Sequence, residues 1–138
     1  MNRKRLLAVL AAFAVAGVIV GLRRDVAAAV VTIRWREPVA VARRFLTLSA
    51  AHDSVALAGL SVGPAPVDWA LDFGRQLGPT PVTARAVAGW GAASDTVRLV
   101  FRTSARWCPA PDEPSNLQFV LVRVAGEWRV SYAGAEPC

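Results

Sequence analysis

Residues 96–107, TVRLVFRTSARW, alternate with a period of two: Val97, Leu99, Phe101 and Trp107 share one face of an extended strand, while Arg98, Arg102 and Arg106 share the other. One face of such a strand is buried and the other meets solvent, the pattern of an antiparallel sheet covered on one side. Residues 108–114, CPAPDEP, follow with prolines at 109, 111 and 114, and must loop because proline cannot donate to a ladder. Beyond them, Leu117 to Val124 and Trp128 to Tyr132 predict a hairpin turning at Ala125-Gly126. Before residue 96, Val82 to Ala88 predicts a further strand, with the glycines around Trp90 and residues 92–95 forming the turn.

Upstream of residue 82 the period changes. Pro38 suits a first helical turn, and Val41, Phe45 and Leu48 recur at i, i+4 and i+7, which predicts a helix to about Ala51. Asp53 is placed to cap a short helix carrying Val55, Leu57 and Leu60. A third helix is predicted over Val67 to Leu77, closed by Gly78-Pro79. Helices followed by antiparallel strands give an α+β class, with two or three helices packed on a curved sheet of about four strands.

The N-terminus reads differently. Arg3, Lys4 and Arg5 precede an uncharged run from Leu6 to Leu22, and Arg23 and Arg24 close it. At ~1.5 Å per residue this run reaches roughly 26 Å, close to the ~30 Å of a hydrocarbon core. Residues 1–24 are therefore expected to form a transmembrane helix in the inner membrane. The rival is a cleaved signal peptide, since Ala27-Ala28-Ala29 fits a small-residue cleavage site; a secreted soluble binding domain would follow from it. Residues 25–36 are assigned to a connector and 37–138 to an extracytoplasmic domain. Cys108 and Cys138 are the only cysteines, with neither CxxC spacing nor histidine partners, so a disulfide in an oxidising compartment is expected and a metal site is not.

Net charge is +6, but setting aside Arg3, Lys4, Arg5, Arg23 and Arg24 leaves 11 basic residues against 10 acidic. A near-neutral domain argues against a nucleic-acid partner.

Two stretches, VARRFLTLSAAHDSVALAGLSV (residues 41–62) and LQFVLVRVAGEWRVSYAG (residues 117–134), resemble the NTF2-like superfamily, the cone fold of ketosteroid isomerase and polyketide cyclase relatives. The resemblance implies a cone over Pro38 to Gly134. An anchor followed by such a domain is similar in layout to Mce-associated proteins and to inner-membrane components of conjugation machines, which implies an envelope-protein partner. The superfamily's enzymes use an acid, sometimes with histidine, in the mouth of the cone. The strand interiors here offer none, and Asp53, His52, Asp68 and Asp72 have structural explanations as a cap, a helix end and a solvated face. A non-catalytic binding role without cofactors is therefore expected, with an isomerase- or cyclase-type enzyme as the alternative.

The arginine stripe carries the candidate site. Arg98, Arg102 and Arg106, joined by Arg123 or Arg129 from the hairpin, would suit a carboxylate, a phosphate or an acidic protein. Tyr132, the only tyrosine, is a candidate hydrogen-bond donor inside the cone or a packed aromatic. A small apolar or anionic ligand, and a homodimer paired through the sheet, complete the expected partners.

Overall fold

The structure, a computed structural model, describes residues 3–78, 82–105 and 115–136, and side chains from residue 11 onward apart from 92 and 93. Four helices, α1 (Arg3–Arg34), α2 (Arg36–Ala50), α3 (Ser54–Gly59) and α4 (Ala65–Leu77), precede four strands, β1 (Ala84–Ala93), β2 (Thr96–Thr103), β3 (Ser115–Val124) and β4 (Glu127–Ala135). The strands form one antiparallel sheet in the order β1-β2-β3-β4. The α+β class and the hairpin at Ala125-Gly126, both at positive φ, follow the sequence pattern.

One face of the sheet is the core. Val97, Leu99 and Phe101 of β2 and Leu117, Phe119 and Leu121 of β3 are fully buried there, against Val39, Ala42 and Phe45 of α2, Leu57 of α3 and Ala70 of α4. Phe119 sits at the centre, edge-on to Phe45, Trp69 and Phe101 at centroid distances of 6.0, 6.3 and 5.4 Å. Asp53 caps α3 as expected, accepting a hydrogen bond from the Ala56 amide at 3.0 Å.

The N-terminal segment departs from expectation. Among the described residues, no helix is long and apolar enough to cross a membrane, which corrects the expected transmembrane helix. The physical reason lies in where the charges fall. Arg23, Arg24 and Asp25 stand within α1 rather than at its end, and residues 25–34 continue the helix onto the domain. Ala28 is buried, Val31 packs on the core, and Asp25 accepts a hydrogen bond from Arg85 of β1 at 2.8 Å. The helix breaks at Trp35 because Pro38, three residues on, lacks the N–H that would reach the Arg34 carbonyl.

The expected disulfide is likewise not supported: there is none among the described residues, and Cys108 and Cys138 lie outside them.

Each sheet edge is partly covered, which blunts the open pairing sites an exposed edge presents. Along β1 runs the second half of α1. Asp25 meets Arg85, and Trp35 meets Gly89, so ten helical residues (about 15 Å) match four strand residues (about 13 Å). Along β4, the chain leaving α3 pairs with Val130, whose N–H donates to the Leu60 carbonyl at 2.7 Å and whose carbonyl accepts from the Val62 amide at 2.8 Å.

Candidate functional site

The sheet face turned away from the helices is assembled by two β-bulges. In β1, Ala86 pairs with Phe101 and Ala88 with Val100, leaving Val87 as the extra residue. In β4, Val130 pairs with Leu121 and Tyr132 with Val120, leaving Ser131 extra, its hydroxyl donating to the Val120 carbonyl at 3.1 Å. Each bulge shifts the side-chain phase by one, so Trp90 and Tyr132 are re-aimed to the outward face.

The result is one row across all four strands, Trp90, Arg98, Val120 and Tyr132, in direct register. With strands about 4.8 Å apart, the backbone positions of Trp90 and Tyr132 are roughly 14 Å from one another, and Arg98 holds a position on the register line between them. Both aromatics are half-exposed, and the Tyr132 ring lies over Gly134. A groove of about 440 Å³ runs here, its walls completed by Val100, Gln118 and Ser131. No ion pair is formed by Arg98 among the described residues.

The other arginines do not form one stripe with Arg98. Arg102 is on the same face but opens into a separate cleft beside α1. Arg123 has the phase of the helix-covered face, where it lies over Trp128 at 5.3 Å and pairs with Glu37 of α2 at 3.4 Å, tying the last hairpin to the helices. Arg129 pairs with Glu127 at 3.7 Å. Arg106 lies outside the described residues. Tyr132 is not inside the helix-facing core, because the Ser131 bulge turns it outward.

A polar cluster closes one end of this face. Gln118 Nε2 and Asn116 Nδ2 each donate to the Glu136 carboxylate at 2.8 Å. These bonds, that from Gln118 foremost, hold the Glu136 carboxyl below the ordinary glutamate range, against a smaller opposing push from burial. Strand alternation already puts Gln118 outward, whereas Trp90, which the glycines on either side mark as a turn, and Glu136, beyond the predicted end of the last strand, were legible only in the tertiary pairing. Among the described residues no group of three or more His, Cys, Asp or Glu could hold a metal ion. In comparison with known proteins, the chain matches no family model and no curated protein.

Proposed function

We propose that this chain is a non-catalytic binding module of the NTF2-like kind, whose outward sheet face takes an acidic stretch of a partner protein. The observation that carries this reading is the Trp90–Arg98–Val120–Tyr132 row, in which an exposed arginine with no carboxylate partner among the described residues shares a register line with two half-exposed aromatics. Tryptophan, tyrosine and arginine are the side chains that concentrate binding energy at interfaces, and arginine's planar fork donates two N–H bonds to a carboxylate. On the helix-facing side, Phe45, Phe101 and Phe119 are fully buried in the core. A second copy of the chain fits the face less well, because two copies of Arg98 would bring like charges together.

Site-specific crosslinking in the native host tests it. With Tyr132 replaced by benzoylphenylalanine, the full chain is expected to form an adduct on an Asp- or Glu-bearing segment of another protein. That adduct should be lost on Arg98→Glu and kept on Arg44→Glu, a charge change on the exposed side of α2. No adduct, an adduct with a second copy, or one indifferent to Arg98→Glu overturns the proposal.

A further inference from the structure

Arg85 of β1 and Arg102 of β2 stand directly opposite one another in register. Like charges facing across an antiparallel pair repel, so this juxtaposition calls for a counter-charge. Arg85 has one: its Nη2 donates to Asp25 Oδ1 at 2.8 Å and to the Arg24 carbonyl at 3.2 Å. Arg102 is exposed and makes no ion pair among the described residues. Both line a cleft of about 740 Å³ between α1 and the start of β1, with Arg24 also on its wall. Thr83 and Ser104 add hydroxyls to the same wall, and the Ser104 Oγ accepts the Thr83 amide at 3.0 Å, which leaves its own hydrogen to donate. Gly21, Ala27 and Val87 make the apolar side.

The geometry points to a binding site in this cleft for a small organic phosphate, with its phosphate on Arg102 and Arg85 and its organic part against Gly21, Ala27 and Val87. Arg85 and Arg102 set against the one carboxylate of Asp25 leave a positive surplus on the wall of the cleft, which suits an anionic group. Planar guanidinium forks match phosphate oxygens in pairs, and the volume is that of a small-molecule pocket rather than of a single ion. This site is separate from the aromatic groove and does not depend on the partner proposed for it.

Calorimetric titration of the full chain with phenyl phosphate tests the assignment. Phenyl phosphate is expected to bind, inorganic phosphate more weakly, and benzyl alcohol not at all. Arg102→Gln and Arg85→Gln should each weaken binding by about tenfold or more, as loss of a charge-assisted pair implies, while Arg44→Gln, an equal change in net charge elsewhere, should not. Asp25→Asn, which frees Arg85 from its own carboxylate, should tighten it. Arg102 is exposed, so its variant is expected to keep the thermal transition of the parent and decides the matter if Arg85→Gln loosens α1. Absence of phenyl phosphate binding, or parental affinity in Arg102→Gln, overturns the site.

Discussion

The indole of Trp35 lies so close over Gly89 that a methyl group there would stand 2.8 Å from Trp35 Cδ1 and 3.0 Å from Leu99 Cδ2. The junction of α1 and α2 is seated on the edge strand through this contact, which only a residue without Cβ permits. Gly89→Ala is therefore expected to destabilise the domain by about 1–3 kcal/mol, as over-packing does. Urea unfolding should show a lower midpoint with an unchanged slope.

Gly74 plays the corresponding part between α2 and α4. Alanine would favour the helix by about 1 kcal/mol on propensity alone, but its Cβ would collide with the Ser49 carbonyl, a backbone group that cannot turn aside. Gly74→Ala should accordingly lower the thermal midpoint, whereas Gly59→Ala, with nothing within 4 Å, should not suffer any such clash. A raised midpoint for Gly74→Ala would contradict the close helix crossing.

Phe119 touches three aromatic rings edge-on and is fully buried. Phe119→Ala leaves a cavity shared by α2, α4 and the sheet, and should cost about 3–5 kcal/mol. Equilibrium denaturation checks this. A loss below 1 kcal/mol would mean that the core does not centre on this ring.

Glu136 gives the domain an acid-sensitive clasp. Its folded pKa lies below that of the unfolded chain, because Gln118 and Asn116 hydrogen-bond the ionised form. The stabilisation is complete above the unfolded value and is lost as pH falls through the folded one. Stability measured across the acid range should decline with falling pH, and Glu136→Gln should flatten that decline. An identical pH profile in the variant would show that the carboxylate is not held by the two amides.

Much of the architecture is legible in local pattern. The alternation of residues 96–103 places Val97, Leu99 and Phe101 inside and Arg98 and Arg102 outside, as the structure does, because a strand's two faces differ at every step regardless of what packs on them. The same holds for Asp53 as a cap, since capping is settled within one turn of chain. The N-terminal segment shows the opposite case. Its apolar composition predicts a membrane span, whereas Asp25 and Trp35 take their roles from contacts with Arg85 and Gly89 of β1, more than fifty residues along the chain, and Ala28 and Val31 are covered by the fold.

By itself, then, the amino-acid order determined the order of helices before strands, the face that β2 and β3 bury, and the near-neutral charge of residues 25–138, since these depend on periodicity and composition. Tertiary structure alone decided which outward residues meet. The bulges at Val87 and Ser131 shift the phase of both edge strands and bring Trp90 and Tyr132 into line with Arg98, and strand register sets Arg102 against Arg85 beside Asp25. A single extra residue in a ladder reverses every side chain beyond it, and nothing local to Trp90 or Tyr132 records that it has happened.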